Sequence, residues 1–286
     1  MKIKIGLPSN LFPWLTLEES FLKVVDLKPE AIEIVLDKPH VSLKSLFEPD
    51  FAEKLKNMVS MLPRKLELSI HAPFQEVNPA SPNPAGKMEA LKIFRESLKL
   101  TALIGGKVMV VHPGWLTPPP KILFFTRKVG LIKARRRLRS LLAELSRQAE
   151  SLNVKVGLEN VHGELSLFRL PREAHHFPEA FYTFDIGHAY IEARRKGKEK
   201  GEAEKWLASQ LLKAFKGKLA HIHLHDNRGL NDGHAPPGEG EINFKPFIEA
   251  LEKLSFQGQV IVEVWKPENP EVAGLKALKA ARQLFR

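Results

Sequence analysis

The chain has 286 residues, contains no cysteine and carries a formal net charge of +11, because 44 Lys and Arg outnumber 33 Asp and Glu. The lack of cysteine excludes disulfides and thiolate metal ligands, so any bound metal must be held by His and carboxylates. No run approaches the roughly 20 apolar residues that span a bilayer, and the start, MKIKIGLPSNLFPW, lacks the hydrophobic region of a signal peptide. We therefore expect a cytoplasmic protein with no membrane partner. The basic charge favours an anionic partner, although charge governs solubility and encounter more than fold.

Short β-type runs alternate with helical stretches along the whole chain. Strands are predicted at Lys2–Gly6, Ala31–Leu36, Leu66–His71, Lys107–His112, Val154–Glu159, Phe181–Asp185, Ala220–His225 and Gln259–Glu263. Helices are predicted at Thr16–Val25, Asp50–Met61, Gly86–Ile104, Arg127–Leu152, Glu173–His176, Glu202–Phe215, Lys245–Leu254 and Glu271–Phe285. Thr16, with Glu18 and Glu19 behind it, is typical of a helix N-cap, and Gly105-Gly106 is typical of a helix end.

The alternation of strands and helices predicts parallel βαβ units. Eight strands and eight crossovers in 286 residues predict an α/β fold, a single (β/α)8 TIM barrel. An open, doubly wound sheet is the alternative, and it is disfavoured because no glycine-rich phosphate loop follows a predicted strand. No linker, internal repeat or low-complexity tract interrupts the pattern, so we predict one domain over residues 1–286.

The predicted strands share a feature at their carboxyl ends, where residues that can bind metals follow one another from the third strand to the eighth. They are His71, His112, Glu159, Asp185, His188, His223, Asp232, His234 and Glu263. In a barrel these strand ends converge on one face, where catalytic groups lie. A lone strand-end His is more often a structural residue, but nine such groups at six consecutive strands are difficult to explain in that way. The pattern predicts a metal site at the C-terminal ends of the strands.

The segment 219–241, LAHIHLHDNRGLNDGHAPPGEGE, carries much of this signal. Strand alternation places His221, His223 and His225 on one face. Three imidazoles would desolvate one another in an ordinary core, whereas neutral His is the commonest protein ligand of zinc-like ions. Asp232 and His234 follow in a predicted polar loop, and the Gly-Glu-Gly turn after it is expected to close that loop over the site.

The ligand types indicate which metals would suit the site. Five His with two Glu and two Asp favour Zn, Mn, Fe or Co over Ca or Mg, which prefer oxygen-only sites. Nine ligands are too many for one ion. We therefore expect two or three divalent ions, with zinc the first choice and with Glu159 and Glu263 as bridging carboxylates.

The motifs HAPF, VVHPG, LEN, DIGH, HLHDN with DGH and GEGEI, and the final IVE occur in an order that resembles the endonuclease IV and xylose isomerase-like TIM-barrel superfamily. This superfamily includes AP endonuclease family 2 and sugar phosphate isomerase/epimerase-like proteins, and the resemblance runs from about Lys2 to Trp265. Resemblance to endonuclease IV implies a three-zinc site on all nine positions. Resemblance to the sugar isomerases and epimerases implies a single divalent ion on Glu159, Asp185, His223 and Glu263, with His188 available to the substrate.

Two chemistries follow from these alternatives. The first, which we favour from the sequence, is endonuclease IV-like hydrolysis of the phosphodiester at an abasic site in DNA, in which metal ions activate water and clamp the reacting oxygens. The second is isomerisation or epimerisation of a sugar or sugar phosphate, with Glu159 and Glu263 as the acid/base pair, His188 orienting the substrate, and Mn or Co as possible metals. A metal-binding barrel without enzymatic activity is a third hypothesis. The basic charge and the full ligand set support the first.

Several residues outside the ligand pattern are candidates for binding. Phe74, Trp115 and Glu33 are predicted substrate contacts, although core pairing is the alternative for Glu33. Phe74 and Gln75 stand where endonuclease IV inserts bulky side chains into DNA, and Gln75 departs from that pattern. Trp115 is followed by Pro118-Pro119-Pro120, and this loop either shapes the pocket or forms a stiff surface turn.

Two charged segments and one further histidine complete the predictions. The basic helix over 127–150 is either a nucleic-acid surface or a solvated outer face of the barrel. The mixed-charge run 193–205 predicts a solvated loop. His225 and Asp226 are expected to orient a ligand His. The sequence leaves the oligomeric state and the substrate open.

Overall fold

Eight parallel strands form a closed barrel in which each strand pairs with the next one along the chain and the last pairs with the first, which confirms the predicted TIM barrel. The structure is a computed structural model and describes residues 2–62, 66–117, 124–265 and 267–286, with the side chains of 124–126 excepted. The barrel strands are β1 (Ile3–Pro8), β2 (Ala31–Val35), β3 (Glu67–His71), β4 (Val108–Val111), β5 (Lys155–Glu159), β6 (Phe181–Asp185), β7 (Leu219–Leu224) and β10 (Gly258–Val262). Each predicted strand is present, with ends shifted by at most two residues.

Helices cover the outside of the barrel. They are α1 (Leu17–Asp26), α2 (Phe51–Ser60), α3 (Pro84–Leu103), α4 (Phe124–Ser151), α5 (Ile186–Arg195), α6 (Glu202–Ala214), α7 (Lys245–Lys253) and α8 (Pro270–Leu284). The predicted short helix at Glu173–His176 is a 3-10 helix over Pro171–His176. In the described part of the chain, no helix combines the length and apolar character that crossing a membrane requires.

Local side-chain chemistry accounts for the predicted helix ends. Thr16 Oγ1 accepts a hydrogen bond from the backbone N–H of Glu19, and the Glu19 carboxylate accepts one from the backbone N–H of Thr16. This reciprocal capping box satisfies two donors that the first turn of α1 leaves free. Helix α3 ends at Leu103, and Gly105 follows with a φ of +72°, a conformation that glycine adopts without a Cβ clash.

The solvated loop predicted over 193–205 is shorter than expected: residues 196–201 connect two helices, which occupy both ends of the segment. Arg194 and Arg195 form the last turn of α5, and α6 begins at Glu202. Helix α5 starts directly at the end of β6, where the Asp185 carboxylate accepts a hydrogen bond of 2.6 Å from the backbone N–H of His188. A predicted metal ligand thus also serves as the N-cap, so no separate turn signal marks the helix in the sequence.

A β-bulge interrupts β7 just below the site. Tyr182 pairs with Leu219 and Thr183 pairs with His221, so Ala220 is an extra residue in the ladder. The strict alternation predicted for Leu219 to His225 therefore fails at Ala220, which packs with Val108, Val110 and Phe181 in a small apolar cluster. Bulges redirect side chains beside active sites, and this one precedes the two buried histidines of β7.

Candidate active site

Four predicted ligands converge at the C-terminal end of the barrel and are called here the strand-end centre: Glu159, Asp185, His223 and Glu263. They come from β5, β6, β7 and the residue after β10. His223 Nδ1 lies 3.4 Å from Glu159 Oε1, 3.4 Å from Glu263 Oε1 and 4.0 Å from Asp185 Oδ2. All four residues are buried. One imidazole nitrogen therefore faces three carboxylates in a dry part of the barrel.

The strand-end centre suits a divalent cation. Glu159 Oε1 and His223 Nδ1 are buried and have no hydrogen-bond partner in the described part of the chain. Burying several carboxylates close together is unfavourable unless a cation compensates them. Its members belong to neighbouring groups with metal-binding spacing: Glu159 and Asp185 with His188, and His223 and Glu263 with Glu33 and His71. The donor set, one nitrogen with carboxylate oxygens, is one that zinc, manganese and related ions accept.

The remaining predicted ligands lie on either side of this centre. On one side, His71 Nε2 and His112 Nε2 lie 3.3 Å and 3.2 Å from Glu159 Oε2. On the other side is a set that we call the hairpin group: His188, Asp232 and His234. Its Asp232 Oδ2 lies 3.6 Å from His188 Nε2 and 3.3 Å from His234 Nε2. The structure thus brings all nine predicted positions to one face.

The hairpin group depends on a two-stranded element that the sequence predicted only as a polar loop. Strands β8 (Asp226–Arg228) and β9 (Asn231–Ala235) pair antiparallel. Asn227 Oδ1 accepts a hydrogen bond of 2.8 Å from the backbone N–H of Gly233.

Asp226 contributes to the same loop rather than orienting a ligand His as predicted. Its carboxylate accepts hydrogen bonds from the backbone N–H groups of Gly238 and Ile242, at 2.8 Å and 3.0 Å. The Gly-Glu-Gly turn therefore folds against Asp226. A Cβ placed on Gly240 would lie 2.2 Å from Asp226 Oδ1, which explains the glycine.

Glu33, a predicted substrate contact, lies deeper than the open cleft. Its carboxylate is fully buried, with Oε1 at 3.1 Å from His223 Nε2 and Oε2 at 3.0 Å from His221 Nε2. Ser69 Oγ donates a hydrogen bond of 3.1 Å to Oε2. His221 was left out of the predicted site, and periodicity alone could not show that β2 and β7 face each other across the barrel.

Two further histidines contact predicted ligands. His162, also left out of the prediction, lies in the loop after β5 with Nε2 at 3.0 Å from Asp232 Oδ2. His225 Nε2 lies 3.1 Å from Asp185 Oδ1, and its ring stacks on His234 with centroids 3.7 Å apart. His225 therefore touches two predicted ligands, in the kind of place expected for a residue that orients them.

The two glutamates of the strand-end centre have opposite pKa shifts. Burial favours the neutral form of Glu159, but the positive field of His223 and His112 outweighs it and holds the pKa well below its usual range. Burial, with Glu159 and Asp185 nearby, raises the pKa of Glu263 to about 7. Near neutral pH, one carboxyl is ionised and the other is partly protonated, which is the division that general acid/base pairs use.

An open cleft lies above the strand-end centre. A cavity of about 260 Å³ is lined by Phe74, His162, His234, Glu263 and Trp265, among others. An adjoining cavity of about 360 Å³ is lined by Trp115 and Glu164 as well as Phe74. The ring of Phe74 lies 4.3 Å from that of His112. Phe74 and Trp115, two predicted substrate contacts, thus line this cleft. The proline run 118–120 lies outside the described residues.

Helix α4 uses several of its basic side chains to attach itself to the rest of the protein. Arg135 forms a 2.9 Å ion pair with Glu173, and Arg139 forms one of 2.7 Å with Glu179. Arg127 lies 3.4 Å from Glu164. These contacts favour the interpretation of α4 as an outer barrel helix over that of a nucleic-acid surface.

The closed barrel, with a carboxylate and histidine centre at its C-terminal end, places the chain among the TIM-barrel enzymes. Residues 21–284 match the family described as Xylose isomerase-like TIM barrel, and the chain belongs to that family. The resemblance inferred from the sequence motifs is thereby confirmed.

Relatives extend over nearly the whole chain. An uncharacterized protein of Methanocaldococcus jannaschii is 29% identical over 272 residues, covering 92% of this chain and 84% of the relative. Fructoselysine 3-epimerase of Escherichia coli O157:H7 is 24% identical over 294 residues, covering 95% and 94%. The crystal structure of a D-tagatose 3-epimerase-like protein superimposes with a TM-score of 0.78 at 26% identity, covering 99% and 98%.

Proposed function

We propose that this protein is a divalent-metal-dependent sugar epimerase or isomerase, the alternative rather than the favoured chemistry of the sequence analysis. The observation that carries the proposal is the convergence of Glu159, Asp185, His223 and Glu263 around one buried imidazole nitrogen. The likeness over the full chain to an epimerase and to an epimerase-like structure supports it.

The four residues of the strand-end centre would hold the ion. A divalent cation bound there would polarise neighbouring carbonyl and hydroxyl oxygens of the sugar as a Lewis acid. Glu33 and His225 lie behind the centre, against His223 and Asp185. The protein thus supplies both the ligands and the groups that support them.

Glu159 and Glu263 would move the proton. The ionised carboxylate of Glu159 accepts the proton from the carbon beside the sugar carbonyl, which breaks the C–H bond and leaves an enolate. Glu263, when its carboxyl is protonated, would return a proton to the opposite face and invert the carbon, which leaves Glu159 protonated and Glu263 ionised. His188, buried between Glu159 and Asp232, would hold a substrate hydroxyl.

The cleft fits a small substrate. Its inner cavity of about 260 Å³ is slightly smaller than the roughly 300–1,000 Å³ of typical small-molecule sites. Phe74 and Trp265 offer flat apolar faces to a sugar ring, and Trp115 lies further out. We propose these aromatic residues as the substrate contacts.

Zinc-dependent hydrolysis of a phosphodiester remains a second candidate on one observation. His71 and His112 lie close to Glu159, and His188, Asp232 and His234 form a further cluster. A single-ion epimerase does not need these as ligands, whereas an endonuclease IV-like enzyme with two or three zinc ions uses such a set. Metal stoichiometry together with product analysis separates the two.

The test begins with protein stripped by a chelator and reloaded with Mn²⁺, Co²⁺ or Zn²⁺. Ketohexoses are then incubated with each form in D2O, and NMR measures both the epimer formed and deuterium incorporated at the inverted carbon. An abasic-site DNA duplex is assayed in parallel, and metal content is measured by mass spectrometry. Sugar interconversion with one ion per chain is the expected result. Cleavage of the duplex by a form with three zinc ions, without sugar turnover, would overturn the proposal.

A further inference from the structure

The interior of the barrel holds a charged group that takes no direct part in the proposed proton transfer. Glu33 on β2 is fully buried, and its carboxylate faces His221 and His223 of β7. Strand β2 pairs with β1 and β3, whereas β7 pairs with β6 and β10. The contact therefore crosses the barrel interior and is not a consequence of strand pairing.

We propose that Glu33 is a positioning residue that keeps the proton of His223 on Nε2, so that Nδ1 is available to a cation. The inference rests on the proposed metal centre. Glu33 meets the other nitrogen of the imidazole, because Oε1 lies 3.1 Å from Nε2 while Nδ1 faces Glu159 and Glu263. It acts through His223 and does not touch substrate.

The charge of Glu33 affects which nitrogen of His223 carries the proton. The negative charge of Glu33 Oε1, 3.1 Å from Nε2, favours the neutral tautomer with hydrogen on Nε2, although in the described part of the chain neither atom has a partner of hydrogen-bond geometry. A histidine that binds metal through one nitrogen must carry its proton on the other, and carboxylates commonly select that tautomer. Glu33 is thus placed to select the tautomer that leaves Nδ1 free.

The surroundings of Glu33 keep it ionised and in place. Ser69 Oγ donates to Oε2, and His221 Nε2 lies 3.0 Å from the same oxygen. In the described part of the chain, no lysine or arginine lies within ion-pair distance of Glu33. A buried carboxylate without such a partner is costly. Its position against two histidines, one of them in the strand-end centre, fits a role in holding the proton of His223 on Nε2.

The variant that tests the inference is Glu33→Gln, which keeps the shape and removes the charge. Glu204→Gln is a matched control, because Glu204 is equally buried and instead accepts backbone N–H bonds from Gly201 and Asn243. Calorimetric titration of chelator-stripped protein with Mn²⁺ or Zn²⁺ measures affinity without reference to activity. We expect Glu33→Gln to weaken binding by about 10–100-fold, the usual effect of losing a partner behind a ligand His, and Glu204→Gln to bind as the wild type does.

A second measurement uses the wild type alone and so does not depend on the folding of a variant. In the zinc-loaded wild type, NMR of ¹⁵N-labelled histidines should show His223 with hydrogen on Nε2 and with a metal-shifted Nδ1. The opposite tautomer, or equal affinities of wild type and Glu33→Gln, would overturn the inference while leaving the metal centre intact. A wild type that binds no divalent cation would overturn both this inference and the proposed function.

Discussion

The strand-end centre and the hairpin group lie side by side but are built differently. Glu159, Asp185 and His223 belong to three barrel strands and are inaccessible to solvent. Asp232 belongs to the β8–β9 hairpin, and a quarter of its side-chain surface is exposed. Groups on barrel strands are held more rigidly than groups on loops. We therefore expect the proposed proton transfer to depend on the barrel, and the hairpin to affect which substrate and how many ions the site accepts.

The largest expected effect comes from the rigid region. Glu159→Gln should lower kcat by about 10²–10⁴-fold, the range for loss of a general base, and should also weaken metal binding. Sugar interconversion and metal content are measured on the same preparations. Glu268→Gln, an exposed glutamate beyond β10, is the control. If Glu159→Gln retained full turnover, the strand-end centre would not be the site of proton transfer.

The next effect is on stability and depends on pH. Glu263 has a usual pKa of 4.5, raised to about 7 by burial in the folded chain. Below pH 4.5 the Glu263 carboxyl is neutral in both the folded and the unfolded chain. Above pH 7 it is ionised in both, and the folded chain then bears the full cost of burying the charge. Metal-free wild type should therefore lose about 3 kcal/mol of unfolding free energy from pH 4.5 to above 7, at about 1.4 kcal/mol per pKa unit.

Glu263→Gln should not show this loss of unfolding free energy. Denaturant unfolding of the wild type and the variant in EDTA, between pH 4.5 and 8, therefore measures the contribution of Glu263. Saturating Mn²⁺ should flatten the wild-type profile, because a bound cation favours the ionised carboxylate. Parallel profiles for wild type and variant would contradict the assignment.

A smaller effect is expected from the hairpin. Asp232→Asn should lower epimerase kcat by about 10-fold or less while leaving the ion of the strand-end centre in place, since this residue is outside that centre. Asn231→Asp, an exposed change on the same strand, controls for altered charge. Stoichiometry and kcat are measured together. A complete loss of turnover, accompanied by a loss of bound zinc, would favour the multinuclear hydrolase instead and erase the distinction between the two regions.

The smallest effect is expected far from both regions. Arg139→Ala on α4 breaks a partly exposed ion pair with Glu179 and should change unfolding free energy by about 1 kcal/mol or less, as surface pairs do. Turnover should be unchanged. Salt-dependent binding of plain duplex DNA by the wild type, lost in this variant, would revive the nucleic-acid interpretation of α4.

The barrel itself could be predicted because its signals are local and periodic. Alternating strands and helices, the Thr16 capping box and polar residues at successive strand ends need no knowledge of contacts between distant segments. The convergence of ligands from different strands also followed from the sequence, since the geometry of a parallel barrel brings its strand ends together.

What the sequence could not supply depends on contacts across the fold. Glu33 contacts His221 across the barrel interior, and His162 contacts Asp232 from another loop. No periodic pattern or motif spacing in the sequence indicates either contact. Helix α5 was missed because Asp185 serves both as a site residue and as its cap. The bulge at Ala220 shifts the alternation by one residue, and no glycine or proline marks it.

One contact described above links the hairpin to the far edge of the site. His225 stacks on His234, and His234 stacks in turn on Trp265, with centroids 4.9 Å apart. The three rings form a continuous column from the end of β7 to the segment after β10. We expect the fluorescence of the Trp265 indole to respond to the charge and position of His234. The chain has four tryptophans, so the difference in emission between wild type and Trp265→Phe would report optically on occupancy beside Asp232, without turnover.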